Sequence, residues 1–185
     1  MTRIFTTLAS IVTLSILVTI GFGFWSMFLD VSPFKNDIYI IHFCLGLFTS
    51  LGILLVHCII FTYFLGTGRW VKEVKLAYHL PDEPLPKLTR ELKRESFPPA
   101  LFSMLIAVAT AAAGAGRQLQ EWHWTIHMTL AFVTLGINLW AFAVEYRCVS
   151  TNAGVIEAVL DEVDRIRAEQ GLSSNADALR EEARS

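Results

Sequence analysis

The amino-acid sequence predicts an all-α integral membrane protein: a four-helix bundle built from two repeated helical hairpins, with cytoplasmic helical extensions. Three observations lead to this fold class. The 185 residues are 54% hydrophobic and 17% charged, whereas a soluble domain carries about 25% charged residues. The apolar residues gather in four long uncharged runs. The sequence around a histidine near the start of the second run returns near the start of the fourth.

The four expected spans cover about residues 4–29, 38–65, 98–116 and 122–144, within a membrane domain of residues 1–150. A helix needs about 20 apolar residues to cross the hydrocarbon core. The first run is longer than the apolar region of a signal peptide and ends in two glycines among bulky aromatic residues. It is therefore expected to remain as an uncleaved span. A turn around Pro33 is expected to join it to the second span.

The loop of residues 66–97 is expected to begin as a continuation of the second helix, from Arg69 to Leu80. Three prolines then interrupt the chain, because proline lacks a backbone N–H and clashes with the preceding helical turn. Residues 87–95 are expected to form a short charged helix that ends before Pro98.

Residues 151–185 are expected to form an amphipathic helix and a tail. Apolar residues recur there at helical spacing, namely Ile156, Val159, Val163 and Ile166. Gly171 is expected to end this helix, and Ser174 or Asn175 to cap a final turn. The polar helices are expected to pack on one another, on a protein partner or on a second copy of the chain.

The distribution of basic residues predicts the orientation in the lipid bilayer. Seven of them lie between the second and third spans, namely Arg69, Lys72, Lys75, Lys87, Arg90, Lys93 and Arg94. The two turns at the other side hold only Lys35 and Arg117. Because basic loops stay in the cytoplasm, both termini and the long loop are expected there. The expected location is the bacterial inner membrane.

The internal match suggests that one hairpin is used twice. His42 aligns with His127, and each is followed seven residues later by a threonine, Thr49 and Thr134. The first arm of each hairpin ends in a Gly-x-Gly pair, formed by Gly21 and Gly23 and by Gly114 and Gly116. In an up-down bundle this predicts two imidazoles at equal depth near the outer face, with glycines on the other two walls.

With these residues the chain resembles the four-helix b-type cytochromes of bacterial membranes, in which histidines on different helices hold a haem. The resemblance implies one haem b, with His42 and His127 as axial ligands of the iron. It also implies that Gly21, Gly23, Gly114 and Gly116 make room for the ring and that Arg117 pairs with a propionate. The implied function is that of an electron-transfer subunit, more than a stand-alone enzyme, with a possible link to quinone or a respiratory partner.

The remaining polar residues of the spans receive simpler interpretations. A second haem is not expected, because the repeat counterpart of His57 is Phe142. His57 is expected to bond a neighbouring hydroxyl or carbonyl, with Thr62 the nearest. Glu145 is expected to pair with Arg69 or Arg147, and Asn138 to bond between helices.

Two other functions stay open. His123 and His127 stand four residues apart, a spacing that can bind a metal, so copper or zinc at the outer face with His42 is one alternative. The other is a non-redox scaffold or anchor that docks a partner through its cytoplasmic helices. Nucleic acid is not an expected partner, because the net charge is −2 and no basic-aromatic cluster occurs.

Overall fold

A computed structural model of the chain describes residues 1–29, 37–120, 122–182 and 184. These residues form five helices: α1 (Thr2–Phe28), α2 (Asp37–Tyr78), α3 (Leu85–Gln120), α4 (Trp124–Glu169) and α5 (Asn175–Glu182). No strand occurs among them, so the prediction of an all-α fold is confirmed. The expected turn around Pro33 lies outside the described residues, as does Glu121.

Helices α1 to α4 are each long and apolar enough to cross a membrane, which suggests a membrane protein. They pack side by side in chain order, and α1 also contacts α4. Many large apolar side chains point away from the bundle, among them Phe48, Phe102 and Trp140. Such an exterior is costly in water and favourable in lipid, because burial of apolar surface in hydrocarbon is what stabilises a spanning helix.

Three of the helices continue well beyond their apolar runs and form a polar extension of the bundle. We use "the extension" for residues 66–97 and 145–169. Its core holds buried leucines and valines from α3, from α4 and from the connection after α2, namely Leu80, Leu92, Val149, Val155, Val159 and Val163. The amphipathic face predicted on residues 155–169 is therefore packed within the chain itself.

Helix α3 runs through Pro98 and Pro99 without a break. The short helix of residues 87–95 and the span of residues 98–116 are thus parts of one helix, and the expected end before Pro98 is wrong. The physical reason is that one buried face continues across the prolines, at Thr89, Leu92, Ser96, Ala100, Ser103 and Ala107. Packing against α2 and α4 holds both halves in line, although two helical N–H donors are missing.

The end of α4 follows the sequence prediction. Gly171 adopts a positive φ of 74°, which glycine accommodates without steric cost. Its N–H donates to the carbonyl of Ala168 at 3.0 Å. Ser174 caps α5, with its Oγ accepting from the N–H of Asp177 at 3.2 Å. Helix α4 therefore ends, and α5 begins, at the residues that the sequence predicted.

Asp82 ties the end of α2 to the start of α3. Its carboxylate accepts from Lys75 Nζ at 2.7 Å and from Arg90 Nη2 at 2.6 Å. These two cations hold the pKa of Asp82 well below its usual range, chiefly through the hydrogen bonds from Arg90 and Lys75. The ion pairs favour the short connection between the two helices.

The core of the extension can be tested with two leucines. Leu92→Ala removes a side chain that is 6% exposed, whereas Leu76→Ala removes one that is 63% exposed. We expect Leu92→Ala to lower the free energy of unfolding by about 2–5 kcal/mol, because it leaves a cavity. Leu76→Ala should change it by no more than about 0.5 kcal/mol. Chemical unfolding of the detergent-solubilised protein measures both, and equal effects would contradict an internally packed extension.

The role of Asp82 can be tested by pH. A depressed pKa means that the folded state binds the proton less tightly than the unfolded state, so the carboxylate stabilises the fold above about pH 4, the ordinary pKa of aspartate. Asp82→Asn should lower the melting temperature at neutral pH, and the difference from the unmodified protein should shrink as the pH falls below that value. Asp161→Asn, at an exposed site of α4, is the control. A pH-independent difference would refute the assignment.

Candidate functional site

His42 of α2 and His127 of α4 lie side by side between the helices of the bundle, and both are half-buried. Their ring centroids are 6.1 Å apart, and the ring planes cross at 81°. α2 and α4 run in the same direction, and each histidine lies near the start of its helix. The sequence predicted that the two histidines lie at equal depth, and in the structure their rings lie at the same level of the bundle.

Each ring is held by a backbone carbonyl of the preceding helix. Nδ1 of His42 lies 3.0 Å from the carbonyl oxygen of Thr19 in α1, and Nδ1 of His127 lies 3.0 Å from that of Thr110 in α3. A carbonyl oxygen only accepts, so each Nδ1 carries the proton. In the neutral ring Nε2 then has a free lone pair, the state in which imidazole binds a metal.

A glycine lies beneath each ring for a specific reason. A Cβ on Gly23 would stand 2.9 Å from Cε1 of His42, and a Cβ on Gly114 would stand 3.0 Å from Cε1 of His127. Gly23 follows Thr19 by one helical turn, as Gly114 follows Thr110, and a helical Cβ leans towards the preceding turn. A side chain at either position would block the ring from its carbonyl.

The other predicted residues lie around this pair with different surroundings. A Cβ on Gly21 would meet nothing within 4 Å, and one on Gly116 would stand 2.7 Å from the ring of Trp122.

Arg117 is exposed at the same end of the bundle, and its charge acts on both imidazoles. His123 precedes α4 as its N-cap and bonds Thr125, so it does not share a helical face with His127.

Hydroxyl groups connect the two arms of each hairpin directly below the histidines. Thr19 and Thr49 lie 2.9 Å apart through their Oγ1 atoms, and Thr110 and Thr134 lie 2.7 Å apart. Ser15 adds a contact of 2.6 Å to Thr49. These bonds fix the threonines whose carbonyls hold the rings.

A second polar cluster lies further along the bundle. It confirms the expected bond of Asn138 between helices, but the sequence interpretation did not place Asn138 and Glu145 with His57. His57 Nδ1 is 2.7 Å from Glu145 Oε1, and His57 Nε2 is 3.2 Å from Asn138 Oδ1. The His57 ring stacks on Phe142 with centroids 5.3 Å apart. Both His57 and Glu145 are 0% exposed. The cluster therefore joins α2 to α4 inside the apolar core.

These contacts correct three expectations. Thr62 bonds the carbonyl of Cys58, and His57 bonds Glu145 and Asn138 instead.

Arg69 pairs with Glu73 on its own helix, at 2.8 Å. Arg147 pairs with Glu95 of α3, so neither arginine meets Glu145. Glu145 points inward, where a long arginine side chain that extends towards solvent does not reach it.

Two sequence signals anticipate these sites. Thr19 with Gly23 and Thr110 with Gly114 form the same Thr-x-x-x-Gly pattern. This pattern matches Gly23 with Gly114, whereas the Gly-x-Gly alignment matches Gly23 with Gly116. Asn138 and Glu145, seven residues apart, share one face of α4. Which helix that face meets cannot be read from one sequence, because it depends on the rotation of each helix in the bundle.

The role of the glycines can be tested by adding one methyl group. Gly114→Ala places a carbon 3.0 Å from the His127 ring, whereas Gly21→Ala meets no atom within 4 Å. Gly114→Ala should break the bond to the Thr110 carbonyl and shift the imidazole ¹⁵N resonances of His127, with a lower melting temperature. Gly21→Ala should leave both unchanged. Unshifted resonances in Gly114→Ala would show that the glycine is not required.

In the described part of the chain, no group of three or more His, Cys, Asp or Glu side chains is placed to hold a metal ion. Comparisons with protein-family models, curated proteins and solved structures give no match.

Proposed function

We propose that the protein is a haem b-binding membrane electron-transfer subunit, with one haem held between His42 and His127. The observation that carries the proposal is the pair of imidazoles at 6.1 Å, each fixed through Nδ1 by a backbone carbonyl. Axial histidine is a common ligand of haem iron. An ionisable residue inside a membrane span is costly, so two at one level favour a bound group.

The spacing of the rings fits two ligands on one metal ion. Imidazole nitrogens bind transition metals at about 2.0–2.1 Å, and a ring centroid lies about 1.1 Å behind its nitrogen. A separation of 6.1 Å between the ring centroids of His42 and His127 would let both rings reach one iron ion.

The hydrogen bonds around the pair match the usual support of a metal-binding histidine. Such a histidine donates its other ring N–H to a carbonyl or carboxylate, which fixes the tautomer and raises the basicity of the ligating nitrogen. The carbonyls of Thr19 and Thr110 serve this purpose at 3.0 Å each. Arg117, whose charge acts on both rings, suits a propionate.

The chain would hold, orient and enclose the cofactor. A bis-histidine haem supplies one-electron transfer. His42 and His127 hold it, Gly23 and Gly114 keep the rings against their carbonyls, and the apolar helices exclude water. We infer that the electron partner is a quinone or a respiratory protein at the histidine end of the bundle.

We infer further that the bundle consists of two repeated hairpins in the bacterial inner membrane, with both termini and the extension in the cytoplasm. The excess of basic residues between the second and third spans supports this orientation. The repeat is supported by the contacts between aligned residues, since His42 meets His127 and His57 meets Phe142. Residues that contact their own counterparts lie on a common axis, as in membrane proteins with parallel repeats.

The two alternatives gain less support. Copper or zinc at His42, His123 and His127 would need His123 in the cluster, and His123 instead bonds Thr125. A scaffold that docks partners through residues 151–185 would need a free apolar face, and Val159 and Val163 lie in the core of the chain itself.

The test is a visible absorption spectrum of the purified protein. We expect a Soret band and a reduced α-band in the unmodified protein, and their complete loss in both His42→Ala and His127→Ala, because each removes one axial ligand. His123→Ala is the matched control and should keep both bands. It also separates the proposals, since a copper or zinc site would lose metal in His123→Ala.

The outcomes discriminate between the functions. A folded protein that carries no porphyrin when haem is supplied would refute the proposal. Metal analysis that finds copper or zinc without porphyrin would favour the alternative site. Retention of the bands in either histidine variant would show that the haem has another ligand.

A further inference from the structure

His57 and Glu145 have no role in the proposed haem site. They are also the most deeply buried ionisable pair among the described residues. Both side chains are 0% exposed and lie 2.7 Å apart. Replacing a buried ion pair by apolar residues is often neutral or stabilising, so packing alone does not explain its presence. An ionisable residue at this depth suggests a functional site, and proton binding is a common one.

The hydrogen bonds fix how many protons the pair holds. Asn138 Nδ2 donates to the carbonyl of Thr134 at 2.9 Å, so its Oδ1 faces His57. An amide oxygen only accepts, so His57 Nε2 carries a proton. Between His57 Nδ1 and Glu145 Oε1 there is then one further proton, on the nitrogen of an imidazolium or on the oxygen of a carboxylic acid. In both forms the pair has no net charge.

The second carboxyl oxygen of Glu145 is not used. Oε2 is buried and has no hydrogen-bond partner among the described residues. An unpartnered carboxylate oxygen in an apolar core is costly. Oε1 already shares a proton with His57 Nδ1, so Oε2 is the atom where a second proton can be added, and that proton changes the net charge of the pair from 0 to +1.

A second unpartnered oxygen lies further along the same helix. Asn152 Oδ1 is also buried without a partner among the described residues, and it lies on the same face of α4, about 10 Å from Glu145 at about 1.5 Å per residue. Asn152 Nδ2 donates to Tyr63 at 3.1 Å and to Thr67 at 3.2 Å. Both hydroxyl residues are partly exposed, so the polar group around Asn152 extends to the surface of the protein.

On the other side the polar cluster ends at an amide and an aromatic ring. His57 Nε2 donates to the amide oxygen of Asn138. Phe142 covers the ring face of His57.

We propose that His57 and Glu145 form a proton-binding site in the bundle core that shares one proton between Nδ1 and Oε1 and takes up a second on Glu145 Oε2. On uptake one H⁺ bonds to Oε2, the carboxylate becomes a carboxylic acid and His57 keeps both N–H groups. No electron moves. Release reverses these steps and returns the proton to water.

Few other charges act on this site. His57 on α2 faces Glu145 directly, and the Cys148 thiol on α4 lies near enough for electrostatic interaction. Arg147 of α4 is held by Glu95 of α3 at the surface. The contact from α1 is the apolar ring of Phe5, against Phe142. Among the described residues, the ionisable groups of this part of the core are His57, Glu145 and the Cys148 thiol.

The test is infrared spectroscopy of the detergent-solubilised protein as the pH is lowered. The carboxylic acid C=O band of a buried, protonated glutamate should appear while the protein is still folded, and should shift when water is replaced by D₂O. Glu145→Gln should lose this band. Glu95→Gln, a change at an exposed glutamate, should keep it.

A second variant keeps the test decisive if Glu145→Gln does not fold. His57→Gln removes the imidazole that shares a proton with the carboxyl group, so the band should appear at a higher pH than in the unmodified protein. A purely structural ion pair would stay ionised until the protein unfolds and would show no band in the folded state, which overturns the proposal. Persistence of the band in Glu145→Gln overturns it as well. The measurement does not use haem, so it can fail or succeed apart from the visible spectrum.

Discussion

The arrangement of the bundle depends on one requirement: polar side chains that are buried among apolar helices need partners inside the protein. His57 and Glu145, 2.7 Å apart, meet it by joining α2 to α4. Asn152 and Tyr63 make another link between the same helices, at 3.1 Å. A slip of one turn would leave a charge unpaired in the core. These bonds thus fix the level of the two helices and, with it, the level of their histidines.

Within each hairpin a different contact sets the spacing of the arms. The imidazole of the second arm reaches a carbonyl of the first arm over a glycine, through Thr19 and Gly23 in one hairpin and Thr110 and Gly114 in the other. A helical carbonyl is normally shielded by the side chain one turn later, and glycine removes that shield. The same geometry that holds the arms together leaves Nε2 of each ring for a ligand.

Hydrogen bonds connect the two polar sites through the bundle. His127 bonds the carbonyl of Thr110, the hydroxyls of Thr110 and Thr134 meet, and Asn138 joins the Thr134 carbonyl to His57. Backbone carbonyls and an amide group form part of this series of hydrogen bonds. The bonds therefore hold the side chains in position more than they offer a path for proton transfer. The proposed electron site and proton site would therefore be coupled through the geometry of α4.

The helical class, the four apolar helices and the proximity of His42 to His127 could be predicted from the sequence. The length and hydropathy of each run and the repeated histidine are properties that can be read along the chain. The sequence also indicated the cap at Ser174 and the stop at Gly171, where backbone conformation depends on one residue. Only the tertiary structure decided that α3 continues through Pro98, that Gly23 and Gly114 support the rings, and that Glu145 meets His57. Each depends on which face of one helix packs against another, and helix rotation is set by the sum of contacts across the bundle.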